Sequence, residues 1–127
     1  MVRLVIPIER FDIERSVVSP DFGGAPEFAV VDLSAEGRAI SITSERNLGE
    51  HFGGHGGAET IVASLKPDAL VVKGMEPRGL AAFQNHGIVV LTGPVTNLGE
   101  AVEAYVAGRL VCLTEPCKDA RHGFLHG

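Results

Sequence analysis

The feature that most constrains the fold of this chain is a change of hydrophobic pattern between residues 43 and 58. Before it, apolar residues form the short runs of β-strands, and after it helical spacing alternates with buried runs. The early runs cover residues 4–8, 28–33 and 38–43. A tight turn at 34–37, with Gly37 suited to positive φ, joins the last two runs. We therefore predict one strand followed by a hairpin.

The second half alternates helices and strands. Residues 58–65 carry apolar side chains at helical spacing, and Lys66-Pro67 ends that helix. Residues 69–72 form an uninterrupted apolar run, which is typical of a parallel strand covered on both faces. The strand in this position therefore indicates a sheet with helices on both sides.

Local signals define the remaining elements. Pro77 suits the first turn of a second helix, and Gly87 ends it. Residues 88–91 form a fifth apolar run. Asn97 can begin a third helix, with Glu100 three residues later as in a capping box.

The resulting order is β-β-β-α-β-α-β-α. It predicts an α/β fold with a five-stranded mixed sheet and helices on both faces. Right-handed crossovers favour the strand order 3-2-1-4-5 with strand 2 antiparallel, which is the ribonuclease H-like arrangement. We expect a domain at residues 1–110 and a C-terminal tail at 111–127. The loops at 9–25, 46–57, 74–77 and 93–96 would then share the edge where ligands of open α/β sheets bind.

A loop rich in glycine and histidine, residues 49–57, leads directly into the first predicted helix. Gly53, Gly54 and Gly56 allow the backbone to approach a ligand and to turn its amides toward it. The imidazoles of His51 and His55 suit iron, zinc or copper. The loop lacks the metalloprotease pattern and the phosphate-loop ending. The alternative is a surface loop with solvated histidines.

Two other segments supply candidates. Ser19 stands in an irregular stretch near the same edge, where the alternative is a turn that introduces strand two. Gly74 and Met75 would place backbone amides and a thioether at the strand-to-helix junction, although Met75 could also fill a gap in the core. The tail adds Cys117, His122 and His126, whose spacing fits no closed zinc site.

Composition excludes several classes of protein. The net charge of -5 argues against nucleic-acid binding, which normally needs a basic surface. No apolar run approaches the ~20 residues that a membrane span requires. No secretory signal precedes the first strand, so we expect a cytoplasmic protein. In that compartment Cys112 and Cys117 are expected to be thiols or ligands rather than a disulfide.

Together these segments resemble the dinitrogenase iron–molybdenum cofactor biosynthesis family over residues 3 to 116. The glycine and histidine loop before the first helix belongs to this pattern. The motifs that carry the rest of the resemblance are Val5-Ile6-Pro7-Ile8, Val18-Ser19-Pro20, Phe22-Gly23, Ala25-Pro26, Gly74-Met75-x-Pro77-Arg78-Gly79 and Glu100-Ala101-x-x-Ala104-Tyr105-x-x-Gly108.

The resemblance implies a non-catalytic ribonuclease H-like domain that carries an iron–sulfur or iron–molybdenum cluster, or its precursor, and exchanges it with donor and acceptor proteins. The binding positions that it implies are Ser19, His51, His55, Gly74 and Met75. One departure from the family is Asp21, where many relatives have His. Two alternatives remain. One is a metal-dependent nuclease or phosphotransferase, which would need several carboxylates around Mg²⁺. The other is a simple zinc- or copper-binding interaction module.

Overall fold

A computed structural model describes residues 1–47 and 57–114 of the chain. Within these ranges the chain forms six strands and three helices. They are β1 (Val2–Ile8), β2 (Glu27–Leu33), β3 (Ala39–Arg46), α1 (Gly57–Ser64), β4 (Ala69–Val72), α2 (Pro77–Asn85), β5 (Val89–Thr92), α3 (Leu98–Val106) and β6 (Val111–Cys112).

The strands form one mixed sheet in the order β3-β2-β1-β4-β5-β6. β2 runs antiparallel to both β1 and β3, whereas β1, β4 and β5 are mutually parallel. The predicted order of the first five strands and the antiparallel β2 are confirmed. The ribonuclease H-like name stays a prediction.

The predicted count of five strands is wrong, because β6 adds a sixth strand antiparallel to β5. Two residues are too few to show a hydrophobic period. The pairing of β6 with β5 continues just after the strand, where Leu113 N–H donates to Val90 O at 2.8 Å. β6 lies beyond the predicted end of the domain at residue 110. Cys112 in β6 is disulfide-bonded, so the prediction that it is a thiol or a ligand is wrong, while Cys117 lies outside the described residues.

Two apolar layers cover the faces of the sheet. Because successive strand residues point to opposite faces, Leu4 and Ile6 of β1 enter one layer and Val5 enters the other. The first layer includes Leu98, Ala101 and Ala104 of α3. The second layer includes Ala58 and Val62 of α1 and Phe83 of α2. The helices therefore lie on both faces, as predicted.

The ends of two helices agree with their sequence signals. Pro77 is the first residue of α2, and Gly87 follows that helix with a φ of 73°. At α3, the Asn97 side chain accepts the Glu100 N–H at 2.9 Å, while the Glu100 carboxylate accepts the Thr96 N–H at 2.7 Å. The Thr96 N–H lowers the pKa of the Glu100 carboxyl because it stabilises the charged form. The predicted cap by Asn97 is confirmed, whereas the return bond of Glu100 reaches Thr96, one residue before the N-cap.

The carboxyl ends of β1, β4 and β5 lie at one edge of the sheet because these strands are parallel. The segments that follow them are residues 9–26, 73–76 and 93–97. These segments share the edge that the sequence predicted for them. None of the helices in the described part of the chain has the length and apolarity that crossing a membrane would need.

Candidate functional site

A cleft of ≈ 580 Å³ lies at this carboxyl edge. It is lined by residues 20–23 after β1, by Glu59 in the first turn of α1, and by residues 74–76, 78 and 79 at the junction of β4 and α2. Three segments that are distant in sequence therefore meet here. Phe22 anchors the first of them, because its ring packs 5.3 Å from Phe28 and 5.5 Å from Phe83 between centroids.

The amino terminus of α2 opens into the cleft. The Glu76 side chain makes no capping hydrogen bond, and Pro77 has no N–H to offer. The N–H groups of Arg78 and Gly79, in the first turn, belong to residues that line the cleft. The first N–H groups of a helix have no partner within the helix and carry partial positive charge, so this end favours an anionic group.

The amino terminus of α3 is closed by comparison. The N–H groups of Leu98 and Gly99 donate to the carbonyl oxygens of Ser16 and Glu14 at 2.8 Å and 2.9 Å. The segment before β2 therefore takes the place that an anion would occupy at this helix. The contrast makes α2 the better candidate for binding an anion.

The structure brings Gly74 and Met75 to the cleft, as the sequence suggested. Met75 is half-buried and packs against the apolar layer beneath α1 and α2. Gly74 is also half-buried, and a Cβ built on it would meet nothing within 4 Å other than its two chain neighbours. A side chain at position 74 would thus extend into open space, and glycine leaves this part of the cleft clear.

Ser19 supports the cleft wall from behind. It is 2% exposed and is not among the lining residues. Its N–H donates to Pro7 O at 2.9 Å, and its hydroxyl donates to Asp21 O at 3.2 Å. The same hydroxyl accepts a hydrogen bond from the Asp21 N–H at 3.3 Å. These contacts give Ser19 a structural function, and its direct contact with a ligand stays a prediction.

Asn47 is a residue of the site that sequence reasoning missed. It is 3% exposed, and its Nδ2 donates to Gly23 O at 3.0 Å and to Ala25 O at 2.8 Å. Its backbone N–H donates to Pro26 O at 2.9 Å. Its buried Oδ1 is without a hydrogen-bond partner in the described structure. Asn47 therefore ties the cleft wall to the end of β3. The sole sequence signal was an amide residue directly after a strand, which is weak.

The charged side chains that line the cleft are mostly acidic. Asp21, Glu59 and Glu76 oppose the single guanidinium of Arg78 among the described lining residues. Within residues 1–47 and 57–114, no three His, Cys, Asp or Glu side chains are grouped closely enough to hold a metal ion. The described cleft thus offers one thioether, helix amides and separated carboxylates.

The other predicted site residues lie outside the described part of the chain. They are His51, Gly53, Gly54, His55 and Gly56 of the glycine and histidine loop, and Cys117, His122 and His126 of the tail. Their assignments stay predictions.

Comparison with known proteins gives a consistent result. Residues 2–108 match the sequence profile of the family described as dinitrogenase iron-molybdenum cofactor. An uncharacterised protein of Methanocaldococcus jannaschii is 24% identical over 113 residues, which span 87% of this chain and 90% of that protein.

Solved structures share the fold. The apo form of the orange protein from Desulfovibrio gigas has a TM-score of 0.76 at 23% identity, over 88% of this chain and 92% of that chain. A Thermotoga protein described as a candidate NifB protein has a TM-score of 0.72 at 22% identity, over 90% of this chain and 95% of that chain. At these identities the similarity extends to the fold alone.

Proposed function

Because this chain belongs to the dinitrogenase iron–molybdenum cofactor family, we propose that it is a non-catalytic carrier in metal-cluster biosynthesis. Its cargo would be an iron–sulfur or iron–molybdenum cluster or a precursor of one. The observation that carries the proposal is the cleft of ≈ 580 Å³ at the carboxyl edge of the sheet. A cleft of this size is in the range of sites for small molecules and cofactors, and its position is typical of α/β proteins.

The chemistry of the cleft suits a cluster that is bound and then released. Anionic sulfides can accept hydrogen bonds from the N–H groups of Arg78 and Gly79 at the amino terminus of α2. The thioether of Met75 is a soft ligand of the kind that binds sulfur-rich metal species. Neither interaction encloses the cargo, so donor and acceptor proteins could exchange it at the open side of the cleft.

We further propose that His51 and His55 ligate the metal, while Gly53, Gly54 and Gly56 provide additional backbone amides. His55 precedes Gly57, the first residue of α1, by two positions in the sequence. The first turn of that helix contributes Glu59 to the cleft. The histidines are therefore tied by a short stretch of chain to one side of the cleft, so their binding would order fewer residues than binding by the tail histidines.

The test is anaerobic reconstitution with iron and sulfide, followed by metal and sulfide counting and absorption spectroscopy. We expect the parent to bind both iron and sulfide, and the double variant His51→Ala/His55→Ala to lose most of this binding. The variant His86→Ala is the matched control, because His86 is exposed and lies at the opposite end of α2. Deletion of residues 118–127 should have little effect.

Two results would contradict this assignment in different ways. If the double variant binds like the parent and the truncated protein does not, the tail is the site instead of the loop. If the parent takes up no iron and sulfide but binds zinc or copper alone, the carrier function is wrong. The protein would then be a simple metal-binding interaction module.

A further inference from the structure

Gly79 stands in the first turn of α2, buried against the side chain of Met75. A Cβ built on Gly79 would lie 3.0 Å from Met75 Cγ and 3.1 Å from Met75 Sδ. Its third neighbour would be Glu59 Oε2 of α1, at 4.0 Å. The thioether of Met75 therefore fills the space that an alanine methyl group would need.

The backbone gives no reason for glycine at this position. The φ of Gly79 lies outside the left-handed region, where glycine would be favoured. In a helix glycine is less favourable than every residue except proline, and alanine is the most favourable. Glycine at position 79 therefore destabilises the helix. The close approach of Met75 is the local feature that explains why glycine stands there.

We propose that Gly79 is a positioning residue that holds the thioether of Met75 at the cleft wall between α1 and α2. The proposal rests on the proposed function only in its consequence for the cargo. Without a Cβ at position 79, the sulfur can lie over the first turn of α2, beside Arg78 and Gly79, which both line the cleft. An added methyl group would displace the sulfur, because the Met75 side chain has three rotatable bonds and gives way more easily than the helix backbone.

The test uses Gly79→Ala, with Met75 followed by NMR of its ¹³C-labelled methyl group. The chain has two methionines, and Met1 is 83% exposed, so the Met1 signal is an internal reference. We expect Gly79→Ala to shift the Met75 methyl resonance and leave that of Met1 in place. The variant Ala81→Gly is the control for this measurement, because it changes the helix propensity of α2 at an exposed position without adding an atom.

Cargo binding should weaken in Gly79→Ala without a loss of stability. Because alanine favours the helix, we expect the thermal midpoint of Gly79→Ala to equal or exceed that of the parent. Its affinity for iron and sulfide should fall on the order of 10-fold, as for residues that orient metal ligands. A purely structural function for Gly79 would not separate the two readouts in this way.

A double-mutant cycle identifies Met75 as the intermediary. In the Met75→Ala background, adding Gly79→Ala should cause no further loss of affinity, since no thioether is left to displace. An equal loss in both backgrounds would overturn the proposal, and so would an unchanged Met75 resonance in Gly79→Ala. The resonance is measured without cargo, so the positioning of Met75 can be refuted separately from the carrier function.

Discussion

Replacing Asn47 by Asp exchanges the Nδ2 amide group for an oxygen and leaves the shape of the side chain unchanged. In the parent, Nδ2 donates to the carbonyl oxygens of Gly23 and Ala25 at 3.0 Å and 2.8 Å. The ionised carboxylate of Asn47→Asp would instead face both carbonyls with an acceptor. The site is 3% exposed, so water cannot easily compensate. The carboxyl group must be buried as an unpaired charge or take up a proton.

The expected loss of stability can be calculated for a buried carboxyl group that takes up a proton. Burial raises the pKa of a carboxyl by up to 3–5 units in fully buried sites, and each unit corresponds to ~1.4 kcal/mol. A rise of ~2 units from the unfolded value of ~3.9 would destabilise Asn47→Asp by about 3 kcal/mol at pH 7. For a raised carboxyl pKa this penalty is fully present above the folded pKa and disappears below the unfolded pKa. At pH 4.5 about 1 kcal/mol of it should remain.

The assay is urea unfolding of the parent and of Asn47→Asp at pH 7 and at pH 4.5. We expect the difference in the free energy of unfolding to narrow by about 2 kcal/mol at the lower pH. The matched control is Asn85→Asp, because Asn85 is exposed at the end of α2. Its effect should stay below ~1 kcal/mol at both pH values. The two amide hydrogen bonds would be refuted if Asn47→Asp were as stable as the parent at pH 7. They would also be refuted if the difference in the free energy of unfolding did not narrow at pH 4.5.

Two further predictions concern the opposite edge of the sheet and α3. The Arg3 guanidinium bonds both Asp32 oxygens, at 2.8 Å and 3.0 Å, and so holds the pKa of Asp32 below its usual value. The stabilisation is therefore present above the unfolded pKa and lost as the pH falls through the lowered folded pKa. In Asp32→Asn, the free energy of unfolding should fall less between neutral and acid pH than it does in the parent. The difference should be no more than ~1 kcal/mol, since the Arg3 side chain is 40% exposed. Asn97→Ala removes the acceptor of the Glu100 N–H, and urea unfolding should show a loss of ~1 kcal/mol.

The elements that could be predicted from the sequence are those with local causes. Pro77 and Gly87 determine the ends of α2 through backbone geometry that depends on single residues. The cap of α3 likewise involves Asn97 and Glu100, which are three positions apart. β6 was missed because its pairing with β5 depends on tertiary contact and not on any periodicity of its own.

The site was only partly predictable for the same reason. Gly74 and Met75 could be found because they lie within three residues of the end of a buried strand, and the carboxyl edge of such strands is a common ligand site. Asn47 could not be found, because its carbonyl partners at Gly23 and Ala25 are more than 20 residues away in the sequence. Nor does any local pattern reveal that the space beside Gly79 is filled by a thioether.

The charges of the cleft bear on how tightly the proposed cargo would be held. Asp21 lies so close to Gly24 that a Cβ built on Gly24 would be 2.5 Å from Asp21 Oδ2. The carboxylate is thus packed against its own loop, and this wall offers no imidazole. Glu59 and Glu76 add two more carboxylates against one guanidinium. An anionic cluster would be attracted by the amides of α2 and repelled by these side chains. Such a balance favours exchange over permanent retention, because an acceptor that lacks the acidic groups would bind the same cluster more tightly.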